Sequence, residues 1–126
     1  MLPTAGAYPY LVAWCPAWGG AWLAEGAANQ LAFVPRSTSP IVEVPLPHAA
    51  SSPYAVACAG DRSVWYTAPG KNRVGRYKPD LTFEEFDVPT ASANVDGIGV
   101  AGEGAIWFTE LAADKVARLS PPPAAP

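Results

Sequence analysis

Three tryptophans recur at an almost constant interval, and this interval constrains the fold more than any other feature of the chain. They lie 43 and 42 residues apart, at Trp22, Trp65 and Trp107. A second series of residues typical of turns keeps the same spacing: Asn29, Asn72 and Asp114. Two independent markers in one register predict three copies of a repeat of about 42 residues.

The second copy shows the internal layout of a repeat. Four short strands are predicted, at residues 54–59, 64–67, 73–77 and 83–88. Turn residues separate them, and in the hairpin Pro69-Gly70-Lys71-Asn72 both Gly70 and Asn72 tolerate positive φ. The first three strands are mostly apolar, which indicates burial on both faces, whereas the fourth alternates as a half-exposed strand does. This layout is typical of a β-propeller blade.

The repeat predicts an all-β fold of about three propeller blades, each a sheet of four antiparallel strands, which together form an incomplete propeller. The blades are expected at about residues 5–47, 48–90 and 91–120, and the third copy lacks its outer strand. A tail rich in proline and alanine follows at 121–126. Each repeat tryptophan is expected to be buried between neighbouring blades, where an indole removes about 150 to 250 Å² from water.

Charge is sparse, with 8 Lys and Arg against 11 Asp and Glu and a formal net charge of −3. Cationic residues do not cluster, so no nucleic acid partner is expected. No apolar run reaches the roughly 18 to 20 residues of a membrane span, so no membrane contact is expected. The start, Met1-Leu2-Pro3-Thr4, lacks the basic and apolar regions of a signal peptide, which favours a cytoplasmic location.

The two cysteines, Cys15 and Cys58, form neither a zinc-binding spacing nor a CxxC motif. We interpret them as two buried apolar thiols at related strand positions.

Three stretches carry a resemblance to a known family: Ile106-Trp107-Phe108-Thr109-Glu110, Asp114-Lys115-Val116-Ala117-Arg118-Leu119 and Val44-Pro45-Leu46-Pro47. They are similar to repeats of the streptogramin lyase (virginiamycin B lyase-like) family of β-propellers, which read roughly P-Y/H-G-I, D-G-x-I/L-W-F-T-E, N-K-I-G-R-I and E-F-P-L-P. The resemblance covers nearly the whole chain, about three of seven blades. It implies a ring that opens a cyclic depsipeptide antibiotic by magnesium-assisted C–O elimination, and so confers antibiotic resistance.

The resemblance also implies where the chemistry lies. An elimination needs a general base, a general acid and a metal that polarises the ester carbonyl. The family places histidines at the second position of P-Y/H-G-I and adds the glutamate of W-F-T-E. Here the histidine positions hold Tyr10, Tyr54 and Asp96. At the position of the W-F-T-E glutamate, the chain has Glu25 in the first copy and Glu110 in the third. The sole histidine, His48, matches no catalytic position. The chain alone is therefore not expected to be a competent lyase of this type.

The candidate site residues have alternative interpretations. Glu110 and Glu25 are catalytic candidates, or they form ion pairs within a hairpin or between blades. Asp96 with Glu110 is the candidate Mg²⁺ couple; otherwise Asp96 is a turn residue before Gly97. The candidate ligand-binding residues are Tyr10 and Tyr54.

Three functions stay open: a non-catalytic scaffold or binding module for a small molecule or peptide, a magnesium-dependent lyase in an assembled ring, and a gene segment without independent activity. The terminal copies carry no polar caps, which repeat arrays normally need. We therefore expect self-association, most simply a two-fold pair with six blades, or additional blades that close the ring. Trp14 and Trp18 flank a one-residue insertion in the first copy, where they cover a blade end or line a binding surface.

Overall fold

Three antiparallel sheets follow one another along the chain, which confirms the predicted all-β fold of propeller blades. The structure is a computed structural model and describes residues 1–121. Residues 122–126, most of the predicted tail, lie outside the described residues. We call the sheets blades 1, 2 and 3. No helix within residues 1–121 has the length and apolar character needed to cross a membrane.

In every blade the strands are hydrogen-bonded in chain order. Blade 1 contains β1 (Pro9–Cys15), β2 (Gly20–Glu25), β3 (Gln30–Pro35) and β4 (Val42–Pro45). Blade 2 contains β5 (Val56–Cys58), β6 (Val64–Ala68), β7 (Arg73–Tyr77) and β8 (Phe83–Asp87). Blade 3 contains β9 (Val95–Val100), β10 (Ile106–Glu110) and β11 (Lys115–Leu119). Among the first strands, β1 contacts β5 and β5 contacts β9, so they form the inner side of the arc.

Unlike Gly70, whose φ is not positive, the turn residues of the repeat have the left-handed backbone that asparagine and aspartate tolerate. Their φ angles are 58°, 54° and 54° for Asn29, Asn72 and Asp114. The asparagine side chains also connect blades. Asn29 Oδ1 accepts a hydrogen bond from the Ser51 amide at 2.8 Å, and Asn29 Nδ2 donates to the His48 carbonyl at 2.9 Å. Asn72 makes the same kind of bonds to the loop entering blade 3. A turn residue therefore also positions the next blade.

The core consists of two apolar clusters, one between each pair of neighbouring blades. Between blades 1 and 2, Trp22 packs against Tyr77 with ring centroids 5.7 Å apart, and both belong to the first cluster. Between blades 2 and 3, Trp65 belongs to the second cluster together with Val95 and Ile106 of blade 3. Each of these indoles thus faces the blade that follows its own.

The third repeat tryptophan corrects the prediction that all three are buried. Trp107 is 44% exposed, whereas Trp65 is 1% exposed. Along β10, the buried residues Ile106, Phe108 and Glu110 alternate with Trp107 and Thr109. The alternation places Trp107 on the face directed away from blade 2, and no residue among 1–121 buries that face.

The cysteines correct a second prediction, because Cys15 and Cys58 form a disulfide and are not free thiols. In blade 1 the residue before Trp22, Ala21, pairs with Trp14. In blade 2 the residue before Trp65 pairs with Cys58 itself. The inserted residue thus moves Cys15 one step beyond the equivalent position, and one step along a strand reverses the face. Cys15 therefore faces blade 2 while Cys58 faces blade 1.

The inserted loop of blade 1 also brings Trp18 to the same interface. The Trp18 ring packs on Trp22 and Phe33, with centroids 5.2 and 5.8 Å apart. Trp14, in contrast, is exposed on the face of blade 1 directed away from blade 2. Trp14 and Trp18 were expected either to cover a blade end or to line a binding surface. Trp18 does the first, because it covers the end of the interface between blades 1 and 2.

The repeat provides a matched test of interblade packing. We expect Trp65→Ala to lower the free energy of unfolding by about 3 to 5 kcal/mol, because a buried indole leaves a cavity between blades. Trp107→Ala should cost less than half as much. The measurement is urea denaturation at a chain concentration at which sedimentation shows a monomer. Equal losses for the two variants would contradict the proposed role of the interface.

Candidate functional site

The strand register gathers the family positions at one end of the sheets. Pro9, where β1 begins, pairs with Glu25, the last residue of β2. Val95, where β9 begins, pairs with Glu110, the last residue of β10. We call the end at which the first strands begin and the second strands finish the site end.

Two tyrosines from different blades meet at the site end. The ring centroids of Tyr10 and Tyr54 lie 5.0 Å apart with an interplanar angle of 44°. Tyr10 also packs on Gly26, since a Cβ atom there would overlap its ring. Tyr10 is 51% exposed. The pair therefore forms an open aromatic surface across blades 1 and 2, built from both predicted ligand-binding residues.

Glu25 lies beneath this end in a polar cluster that sequence reasoning missed. Its side chain is fully buried, and Oε1 accepts a hydrogen bond from Gln30 Nε2 at 2.6 Å. Loss of hydration raises the pKa of Glu25; Gln30 opposes this shift, and the nearby carboxyl of Glu43 adds to it. Thr4 donates a 2.7 Å hydrogen bond to Glu43. Partial loss of water raises the pKa of Glu43, but the hydrogen bonds from Thr4 and the neighbouring Glu25 carboxyl outweigh it, so that the pKa of Glu43 is lowered.

Glu110 occupies the equivalent position in blade 3 but lacks this cluster. It is 4% exposed, and its Oε1 has no hydrogen-bond partner. It lines a cavity of about 290 Å³ between blades 2 and 3, together with Val88, Phe108 and Leu119. Neither Glu25 nor Glu110 forms an ion pair with a cation within the described part of the chain. The ion-pair interpretation of both glutamates is therefore wrong for these residues.

The predicted metal couple is not directly opposed in the sheet. Val95, and not Asp96, pairs with Glu110. The Asp96 carbonyl oxygen accepts a 2.8 Å hydrogen bond from Thr67 Oγ1 of blade 2. Among residues 1–121, no group of three or more His, Cys, Asp or Glu side chains lies close enough to hold a metal ion. The Asp96–Glu110 couple stays a prediction, since Mg²⁺ can be held by two protein carboxylates with water completing its octahedral shell.

His48 belongs to a network at the outer strands of blade 2, which the sequence did not reveal. Its Nδ1 lies 2.7 Å from Oε1 of the buried Glu85, and Tyr66 donates its hydroxyl to Glu85 Oε2 at 2.8 Å. Burial and the neighbouring carboxylate raise the pKa of Tyr66. Arg73 Nη1 lies 3.4 Å from Glu85. The alternation of β8 puts Glu85 on the same face as Phe83, and this pattern could have indicated a buried carboxyl.

Comparison with known proteins gives matches to one family and to several solved structures. The sequence model of the virginiamycin B lyase family matches residues 1–124. Virginiamycin B lyase from Staphylococcus aureus superposes with a TM-score of 0.87 and 25% identity, over 94% of this chain and 40% of that chain. A catalytically inactive variant of virginiamycin B lyase from the same organism, solved with quinupristin, gives 0.81 and 25%, over 96% and 44%.

Kuenenia stuttgartiensis hydrazine synthase gives a TM-score of 0.67 over 91% of this chain and 36% of that chain, and at 16% identity it shows the fold alone. No curated protein matches the sequence. The chain spans about two fifths of the length of the solved lyases that it matches.

The raised pKa of Glu25 predicts a pH dependence of stability. Above the ordinary value of 4.5 the native state keeps a proton that the unfolded chain has lost. The contribution of Glu25 to stability therefore falls as pH rises through the interval between 4.5 and the raised pKa. We expect Glu25→Gln to be more stable than wild type at pH 7, with the difference shrinking towards pH 4.5, in urea titrations.

The exposed Glu103→Gln is the matched control and should follow the wild-type pH profile. A Glu25→Gln variant whose stability differs from wild type by the same amount at both pH values would contradict the burial of a protonated carboxyl.

Proposed function

Because the chain belongs to the virginiamycin B lyase family, we propose that it is a propeller module that binds a small molecule or peptide at the site end and does not open cyclic antibiotics on its own. The observation that carries this proposal is the Tyr10–Tyr54 pair, which stands where the family resemblance places histidines. Membership of the family rests on the match of its sequence model to residues 1–124.

The chemistry of tyrosine supports binding in preference to elimination. A neutral imidazole nitrogen accepts a proton near neutral pH, whereas a phenol offers an aromatic face and a hydroxyl hydrogen bond. Offset or tilted aromatic contacts contribute about 0.5 to 1.5 kcal/mol beyond burial. A ligand with an aromatic group that stacks on Tyr10 and Tyr54 fits this surface.

Quinupristin is the ligand to test first, because a solved relative at 25% identity contains it. We expect saturable binding of quinupristin by calorimetry, weakened about tenfold in Tyr10→Ala and in Tyr54→Ala, since loss of one aromatic contact costs about 1.4 kcal/mol. Trp14→Ala is the matched control, an exposed aromatic residue at the other end of the same strand. Binding that is absent, or unchanged in both tyrosine variants, would refute the proposed site.

The second candidate is a lyase, and one observation favours it. Glu110 corresponds to the W-F-T-E glutamate and keeps a buried carboxylate oxygen without a partner, as a proton acceptor awaiting substrate would. Mass spectrometry of the same quinupristin incubations, with and without Mg²⁺, distinguishes the two functions: ring-opened product that depends on Glu110 supports the lyase and an antibiotic-resistance role.

The outward face of blade 3 supports the expected self-association. In blade 2, Thr67 Oγ1 accepts from the Ala55 amide at 3.1 Å and donates to the Asp96 carbonyl of blade 3 at 2.8 Å. In blade 3, Thr109 Oγ1 accepts from the Gly97 amide at 2.9 Å, and its proton has no acceptor within residues 1–121. Beside it, Trp107 and Val116 are exposed. The face therefore repeats the groups with which blade 2 holds its neighbour, and a second copy of this chain is the proposed occupant.

Sedimentation equilibrium tests the association. We expect the chain to form a two-fold pair at micromolar concentration and Trp107→Ala with Thr109→Val to sediment as a monomer, because both changes remove groups of this face. Leu81→Ala, an exposed apolar side chain in a loop of blade 2, should leave the pair intact. A wild-type chain that sediments as a folded monomer at all concentrations would rule out self-association.

A further inference from the structure

We propose that the Cys15–Cys58 disulfide is a redox-sensitive staple between blades 1 and 2, opened by small thiols through attack at Cys58. The proposal goes beyond ligand binding and does not depend on it. Neither cysteine belongs to the site end, because Cys15 is the last residue of β1 and Cys58 is the last residue of β5. The staple therefore acts at the opposite end of the same interface.

The backbone geometry suits a disulfide. The two Cα atoms lie 5.7 Å apart, within the roughly 4.4 to 6.8 Å that disulfides span. The faces also match, since the insertion in blade 1 directs Cys15 toward blade 2. Two cysteines at strictly equivalent positions of a repeat would face the same direction around the ring and could not meet between blades.

A second interblade contact accompanies the staple. The indole N–H of Trp18 donates to the Arg62 carbonyl oxygen at 2.9 Å, and the Arg62 guanidinium carbon lies 4.3 Å from the centre of the Trp18 ring. Both residues belong to the connections that follow β1 and β5. The disulfide closes a loop between cysteines that are 43 residues apart in the chain. Reduction should therefore loosen this end of the interface most.

The two cysteine residues differ in exposure, and we infer the direction of the reaction from this difference. Cys15 is fully buried, whereas Cys58 is partly exposed. A thiolate attacks the Cys58 sulfur, the Cys15 sulfur leaves with the electron pair and takes up a proton, and a mixed disulfide forms at Cys58. A second thiol then releases Cys58. Overall, the protein disulfide and two thiols give the protein dithiol and one low-molecular-weight disulfide, and the reverse reaction with oxidised glutathione closes the staple.

The disulfide also bears on location. Structural disulfides persist in oxidising compartments and are rare in the reducing cytosol of most organisms. The cytoplasmic location expected from the sequence is therefore a setting in which the staple would be open, and an oxidising compartment is one in which it would be closed.

The test uses the full chain equilibrated with oxidised glutathione and then with dithiothreitol. We expect non-reducing peptide maps to show one Cys15–Cys58 cross-link in the first buffer, and the thermal midpoint to fall by about 10 °C or more on reduction. The Cys15→Ala and Cys58→Ala double variant should match the reduced wild type and should not respond to dithiothreitol.

The single variants test the direction of attack. In oxidised glutathione, Cys15→Ala should acquire a glutathione adduct at Cys58, while native Cys58→Ala should leave Cys15 unmodified until the chain is denatured. Two free thiols per chain in oxidised glutathione, or equal thermal midpoints before and after reduction, would overturn the staple. Equal labelling of Cys15 and Cys58 in the folded variants would overturn attack at Cys58.

Discussion

The packing of one sheet face on the next blade is the interaction on which the rest of this structure depends. A short antiparallel sheet cannot bury both of its faces alone, so a repeat gains stability only from its neighbours. The tryptophan at the equivalent position of each blade shows this dependence. Trp22 and Trp65 are buried because a following blade covers them, and Trp107 is 44% exposed because no residue within 1–121 does. Burial here is a property of the interface and not of the residue.

The interfaces are not identical, and a single hydroxyl accounts for a difference at the site end. Where blade 2 has Thr67, the hydroxyl bridges the Ala55 amide and the Asp96 carbonyl of the next blade. Blade 1 has Ala24 at that position, and the Leu11 amide donates directly to the Tyr54 carbonyl at 3.2 Å. Direct backbone contact draws the first strands of blades 1 and 2 together. The Tyr10 and Tyr54 rings, which adjoin this bond, meet at 5.0 Å.

Features that depend on local pattern and on the repeat could be predicted from the sequence. The third strand of the second copy was placed correctly at 73–77, and Asn72 of the preceding hairpin has positive φ, whereas Gly70 does not. The disulfide could not be predicted in the same way, because it depends on a one-residue change of register at Cys15. The surroundings of Glu25 were also out of reach, since Thr4 and Glu43 come from distant parts of the chain. Side-chain clusters assembled across strands leave no spacing that a single sequence reveals.

Family membership and the proposed binding function of this chain rest on different residues. The matched features, such as Trp65, Asn72 and the alternating strands, are those that bury a blade face or turn a hairpin, and they carry the fold. The reaction depends on a few groups at the ends of strands, where a substitution costs little packing. Tyr10 and Tyr54 stand where the resemblance places histidines, and their rings lie at the open end and contact each other. Side chains at the site end can therefore vary while the blades keep their packing, and this is the property that the proposed binding function requires of the framework.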